Sequence, residues 1–267
     1  MGKGTSARET AESPFALSAV CYDTLYQDKD YGREAAYIHG LLMRYAPEAK
    51  SILEMGCGTL GHAVRLAKNG YVIHGFDRSE PMLRHASQQL DRLPAHDRAR
   101  VSCGVGDLAS YRAGRRFDAV LSLFHVLCYQ TTNEDLEAAF GTASAHIERG
   151  GVFVFDAWYG PAVLTERPSV RIKRMENETV RIERTAEPQL LPNENRVDVA
   201  FTYLIEERDT GSVRKLKEMH RVRYLFHPEV TALMNRQGMD LVGAEEWLTG
   251  SVPSDKTWGV CFIGRKR

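Results

Sequence analysis

Glu54-Met55-Gly56-Cys57-Gly58-Thr59-Leu60-Gly61 is the stretch that decides the fold of this 267-residue chain. It continues the apolar run Ser51-Ile52-Leu53, which reads as a short buried strand, and it leads into a helical segment from His62 to Asn69 that Gly70 stops. The glycines fit G-x-G-x-x-G between a strand and a helix. Glycine permits a sharp turn and lets a ligand approach the backbone, and the helix start adds exposed N–H donors. Taken alone, such a turn is also compatible with a purely structural role.

Working outward, strands and helices alternate. Upstream, Arg33 to Tyr45 is expected to be helical, with Ala36, Ile38, Leu41, Leu42 and Tyr45 as its apolar face and Pro47 beyond its end. Downstream, Tyr71 to Phe76 is a strand ending at Asp77, and a helix follows with Pro81 in its first turn, running to about Leu93. Arg100 to Gly104 and Phe117 to Leu123 read as strands. Asn133 is expected to cap a helix through His146, and Gly150-Gly151 turns into the strand Val152 to Asp156. This alternation predicts a parallel sheet covered on both faces.

The pattern changes after Trp158. Val170 to Met175, Thr179 to Ala186, Arg196 to Glu206 and Lys215 to Phe226 alternate apolar and polar residues, with a turn at Asp209-Thr210-Gly211. This is expected to be an antiparallel insertion. Pro228 to Gln237 returns to helix, and Asp240 to Trp247 and Trp258 to Gly264 are the last strands. Four segments are therefore expected: a disordered 1–13, a core over 14–160 with an N-terminal helical lid, the insertion over 161–226, and 227–267 completing the core.

Composition narrows the function. Basic and acidic residues number 35 each, so no overall field draws the chain to nucleic acid or an anionic membrane. Arg171, Lys173, Arg174, Arg181 and Arg184 suggest a basic face on the insertion, but glutamates are mixed among them. The five cysteines are scattered, without a Cys-x-x-Cys pair or zinc-ligand spacing, so free thiols and no metal are expected. Residues 1–13 are polar and no apolar run reaches the ~20 residues that span a bilayer. A cytoplasmic protein is the expectation.

Asp77, at the end of the second strand, is placed to accept both hydroxyls of an adenosine ribose; capping the following helix is the competing role. A glycine turn and an acidic residue suit a nicotinamide dehydrogenase as well as a methyltransferase. Three features separate them. Glu54 stands two residues before the first glycine, where dinucleotide folds keep an apolar residue. Gly106-Asp107-Leu108 puts a further carboxylate at the edge of the third strand. No Tyr-x-x-x-Lys pair occurs, so the reductase proton donor is missing.

On these motifs, residues from about 20 to 160 and the final strands resemble the class I S-adenosylmethionine-dependent methyltransferases. The resemblance implies an α/β, Rossmann-like, seven-stranded and mostly parallel sheet carrying the antiparallel β insertion, with S-adenosyl-L-methionine as cofactor. It implies that Gly56, Gly58 and Gly61 line the methionine and ribose portions, that Asp77 takes the ribose diol, and that Asp107 and Leu108 lie beside the adenine. Met82 is expected against the adenine ring, Phe124 to offer its backbone carbonyl, and Glu54 to support the turn. Tyr22 and Tyr26 precede the core and are expected to form a cofactor lid or to anchor the N-terminal helix.

The acceptor is read from aromatic residues and histidines near the expected pocket, which suit a small polar molecule. His125, Tyr129 and His220 are the candidate proton acceptors, and His125, Trp158 and Tyr159 the candidate acceptor-binding residues. No Asn-Pro-Pro-Tyr segment follows the fourth strand, which argues against nucleobase and glutamine amide methylators. With Tyr22-Asp23-x-x-Tyr26, Asp156-Ala157-Trp158-Tyr159 and the insertion, the chain is similar to small-molecule N-methyltransferases acting on nucleotide-linked amino sugars. In that group a histidine stands where this chain has Tyr129, which leaves the base open. Methylation of an amine is the leading expectation. A hydroxyl-directed methyltransferase and a non-catalytic cofactor-binding module are the alternatives. The insertion's exposed edges are expected to offer a homodimer contact.

Overall fold

The computed structural model describes residues 24–267, which form two compact units. The larger comprises residues 30–167 and 223–267; the smaller comprises 168–222 and, among the described residues, 24–29.

In the larger unit α1 (Tyr31–Tyr45) precedes β1 (Ser51–Met55), α2 (Ala63–Ala67), β2 (Val72–Asp77), α3 (Glu80–Asp91), α4 (Ala95–Arg98), β3 (Val101–Val105) and β4 (Phe117–Ser122). A 3-10 turn at Val126–Tyr129 leads to α5 (Asn133–Ala145), β5 (Ile147–Trp158) and α6 (Gly160–Glu166). After the smaller unit come α7 (His227–Arg236), β10 (Met239–Glu246) and β11 (Gly259–Lys266). The seven strands lie in the order β10-β11-β5-β4-β1-β2-β3, with β11 antiparallel to both neighbours and the other printed pairs parallel. This is the expected mostly parallel, Rossmann-like sheet. The chain moves from β1 outward to β3 and then crosses to β4 on the other side of β1. That reversal opens a crevice at the carboxyl ends of β1 and β4, where α/β sheets bind ligands.

The central strands are apolar because both faces are covered. Ile52, Leu53, Ala119, Val120, Leu121 and Val152 to Phe155 are all fully buried. Local signals set the helices. Asp30 accepts from the Arg33 N–H (2.8 Å) at the start of α1, and Ser79 caps α3 with Pro81 in its first turn. The cap of α5 is Thr132, whose Oγ1 accepts from Asp135 N at 3.0 Å, and not Asn133 as expected. Asn133 is already helical, and its side chain instead accepts from the Arg223 guanidinium at 2.7 Å.

The smaller unit is an antiparallel sheet in the order β6 (Arg171–Glu176), β7 (Val180–Leu191), β8 (Arg196–Glu207) and β9 (Val213–Arg223), the last strand ending as the chain re-enters the larger unit. Leu25 joins Ile182, Tyr203 and Ile205 in its apolar cluster, and Lys173 Nζ donates to Leu25 O and Asp28, both at 2.7 Å. Residues 24–29 thus pack with the antiparallel sheet, whereas the sequence reading grouped them with the core. Conversely α6, expected inside the insertion, is a helix of the larger unit. The Tyr159–Leu225 bridge and the Gly160 N–H to Leu225 O bond (2.9 Å) hold it there. The basic residues of the sheet alternate with acids: Arg174 pairs with Glu183, Arg181 with Glu176 and Glu206, and Lys173 with Asp28. Among the described residues no helix is long and apolar enough to cross a membrane. The four described cysteines are free thiols.

Candidate active site

The glycine turn sits at the carboxyl end of β1. The N–H groups of Gly56 and Cys57 both donate to Phe76 O, at 2.8 and 3.0 Å, which ties the turn to the end of β2. Each glycine has its own reason. Gly56 lies at φ 72°, and a Cβ there would stand 2.4 Å from Val126 Cγ1. Gly58 lies at φ 53° with nothing within 4 Å of where its Cβ would point, so its backbone faces open space. Gly61 makes room for a protein ring: a Cβ there would be 2.5 Å from Tyr31 Cε1, on α1.

Asp77 ends β2 with its carboxylate turned to this turn. Oδ2 accepts from Gly58 N at 2.9 Å and Oδ1 from Ser79 N at 2.8 Å. Helix capping itself falls to Ser79, whose Oγ accepts from Met82 N at 3.4 Å. A carboxylate accepts about four hydrogen bonds, so two backbone donors leave capacity for two ligand hydroxyls. Burial raises the Asp77 pKa, and the Ser79 and Gly58 N–H bonds pull it partly back. Met82 is buried on α3. Beyond β3, Gly106 N donates to Asp77 O at 3.0 Å, and a Cβ on Gly106 would stand 2.3 Å from the Tyr111 ring. Leu108 is buried, while Asp107 is exposed and its Oδ1 accepts from Ala109 N at 2.9 Å.

Beneath the turn Glu54 is 2% exposed, and its Oε2 has no hydrogen-bond partner. Its Oε1 lies 3.5 Å from His62 Nδ1, and His62 Nε2 is 2.7 Å from Glu34 Oε2 on α1. Burial opposes a charged His62, but the two carboxylates outweigh it and its pKa is raised. Glu34 and His62 had no signal in the sequence. They lie 28 residues apart and meet only because α1 packs on the turn.

The residues expected near the acceptor lie where β4 leaves the sheet. Phe124 and His125 are both left-handed, at φ 68° and 60°, a conformation that costs a non-glycine residue about 1–2 kcal/mol. Asp156, at the carboxyl end of β5 and 1% exposed, compensates: Oδ1 accepts from Phe124 N at 2.6 Å and Oδ2 from His125 N at 3.2 Å. His125 Nδ1 lies 2.7 Å from Asp156 Oδ2, a close contact not aligned as a hydrogen bond. The partly exposed imidazole meets Trp158 edge to face, with ring centroids 6.4 Å apart, and Trp158 N donates to Cys128 Sγ at 3.4 Å. Tyr129 closes the 3-10 turn and Tyr159 precedes α6, both half-buried. A cavity of about 430 Å³ lined by Asn133, Leu136, Arg223, Glu229 and Leu233 contains none of the candidate residues.

Other candidates lie in the smaller unit. His220 is buried with Nε2 at 2.9 Å from Glu218 and its ring edge-on to Phe201. Tyr26 accepts from Arg184 Nη1 at 3.3 Å. Tyr22 lies outside the described residues. The sequence reading gave Asp156 no role, although a carboxylate directly after the apolar run Val152 to Phe155 was a readable signal.

A strand–glycine turn–helix at a topological switch point, with a carboxylate at the end of the next strand, defines a nucleotide-cofactor α/β enzyme. Comparison with known proteins makes this specific. A methyltransferase domain family model matches residues 52–151. A dTDP-3-amino-3,4,6-trideoxy-α-D-glucopyranose N,N-dimethyltransferase of Streptomyces venezuelae is 32% identical over 225 residues, covering 83% of this chain and 89% of that one. A dTDP-3-amino-3,6-dideoxy-α-D-glucopyranose N,N-dimethyltransferase of Streptomyces fradiae is 30% identical, covering 84% of each. The crystal structure of Streptomyces venezuelae DesVI superposes with a TM-score of 0.77 at 26% identity, over 93% of this chain and 98% of that one. The chain belongs to the class I S-adenosylmethionine-dependent methyltransferases. The site chemistry fits that cofactor: open backbone at Gly58, spare acceptor capacity on Asp77, and a buried Glu54 oxygen lacking a protein donor.

Proposed function

We propose that this methyltransferase acts on the amine of a small metabolite, an amino sugar carried on a nucleotide. The observation that carries the reading is the 32% identity to a nucleotide-sugar N,N-dimethyltransferase over 225 residues, a span far longer than the methyltransferase domain at residues 52–151. Antiparallel strands β6 to β9 follow that domain as a separate unit.

When bound, S-adenosylmethionine supplies a methyl group on a sulfonium, which passes to the amine lone pair while sulfur keeps the electrons of the broken C–S bond. The chain's own residues hold the partners in line. In this reading Asp77 grips the ribose, Leu108 and Met82 pack near the adenine, and the Gly58 backbone leaves room for close approach. Such orientation contributes up to ~7–11 kcal/mol in favourable cases. His125 takes the proton that the methylated nitrogen must release before a second transfer, because its ring is partly exposed beside Trp158. His220 is buried in the smaller unit whereas the His125 ring is partly exposed, so the proton-accepting role is assigned to His125.

Purified protein incubated with S-adenosylmethionine and a panel of nucleotide-linked amino sugars is expected to add one or two methyl groups to nitrogen, read by mass spectrometry. Methylation confined to hydroxyls overturns the amine reading, and cofactor binding with no transfer to any acceptor favours a binding module. The reading extends to a cytoplasmic homodimer paired through an outer strand of the antiparallel sheet, β6 or β9. A monomeric mass by light scattering removes the dimer.

A further inference from the structure

We propose that Asp156 is the positioning residue of the transfer step, setting both the place and the proton tautomer of His125. The inference rests on the amine reading above, with His125 as proton acceptor.

Phe155 pairs with Ser122 in the last β4–β5 register position, so Asp156 stands at the point where β4 departs from the sheet. There the chain takes two consecutive left-handed residues, Phe124 and His125, neither of which is glycine. A single buried carboxylate receives both of their N–H groups, at 2.6 and 3.2 Å, and fixes the backbone that carries the imidazole. The same Oδ2 approaches Nδ1 of that imidazole to 2.7 Å, a close contact without hydrogen-bond alignment that acts on the ring through its charge. A carboxylate beside Nδ1 favours the tautomer with the proton on Nδ1. That leaves the Nε2 lone pair as the proton acceptor. The balance is simple. The ammonium produced by N–CH3 bond formation loses one proton to Nε2, and no other co-reactant is needed. This is the orienting logic of an Asp–His pair, here built on a strand-end clamp that also holds the backbone.

A clamp without influence on the ring is the competing role, and a double-mutant cycle separates the two. D156N is expected to lower kcat by about tenfold to a hundredfold, with KM for cofactor and acceptor changed less than about threefold. In an H125A background the same change is expected to cost little more. An equal loss in both backgrounds overturns the proposal. Nitrogen NMR on histidine-labelled wild-type protein gives a test independent of turnover and of whether D156N folds. His125 is expected to carry its proton on Nδ1, and an Nε2-protonated ring overturns the assignment. If wild type methylates no amine, the acceptor reading falls by itself, and the tautomer still decides the Asp156–His125 relation.

Discussion

Replacing Asp77 by alanine is expected to weaken S-adenosylmethionine binding by at least about a hundredfold. Two ribose hydroxyls donating to a charged, largely buried carboxylate contribute about 1.5 kcal/mol or more each, and every 1.4 kcal/mol is tenfold in affinity. The variant also strips the Gly58 and Ser79 N–H groups of their acceptor, so the turn itself loses definition. Calorimetric titration with the cofactor or S-adenosylhomocysteine reads the loss, and an affinity within threefold of wild type removes Asp77 from the site. A pH series sharpens the test. Burial raises the Asp77 pKa above the ordinary 3.8, so the folded state holds that proton more tightly than the unfolded chain. The contribution of Asp77 to fold stability therefore declines as pH rises from the ordinary value through the raised one, as the buried carboxyl ionises. Ribose binding needs the ionised form and runs the opposite way. Affinity is expected to fall on acidification at a pH above the ordinary aspartate range, and the D77N variant is expected to lack that dependence.

Gly56→Ala is expected to destabilise the protein by about 2–5 kcal/mol. The left-handed backbone at φ 72° costs an alanine about 1–2 kcal/mol. The new methyl group would also stand 2.4 and 2.9 Å from the two γ carbons of Val126, an overlap of the kind that costs about 1–3 kcal/mol. For a chain of this size that is a fall in melting temperature of roughly 4–20 °C. Adding Val126→Ala removes both γ carbons and is expected to restore part of the loss while leaving the backbone cost. A Gly56→Ala protein that melts with wild type contradicts the described turn. Because Val126 opens the 3-10 turn that follows His125, the same overlap is expected to disturb the acceptor side, and kcat falls along with cofactor affinity.

Much of this architecture was legible in order of appearance. The alternation from Ser51 to Asp156 predicted parallel strands, and the strands fall within a few residues of the expected spans. The differences have local causes. The helix expected over His62 to Asn69 is confined to Ala63–Ala67, because Leu60 is still left-handed in the turn and the chain is already leaving the helix before Gly70. Strand β5 begins at Ile147, five residues earlier than expected. Gly150, at φ 82°, lets an irregular stretch keep its place beside β4 between the Phe117–Ile147 and Ala119–Val152 pairs. Side-chain partnerships were less legible. Gly61 reads as part of a ligand-binding motif, yet its missing side chain is filled by Tyr31.

By itself the sequence determined the glycine turn, the strand-end carboxylates Asp77 and Asp107 and the antiparallel segment, because these depend on short-range pattern and on parallel strands sharing one carboxyl edge. Strand order and helix docking decided the rest. Glu34 reaches His62 only once α1 lies on the turn. Asp156 reaches Phe124 and His125 only because β5 lies beside β4 in a register that puts a buried carboxylate at its departing end. Such contacts join residues about 30 positions apart, and local propensity carries no information about them. The turn proposed to bind the methyl donor is therefore written in consecutive residues, while the arrangement proposed for the acceptor exists only in the folded sheet.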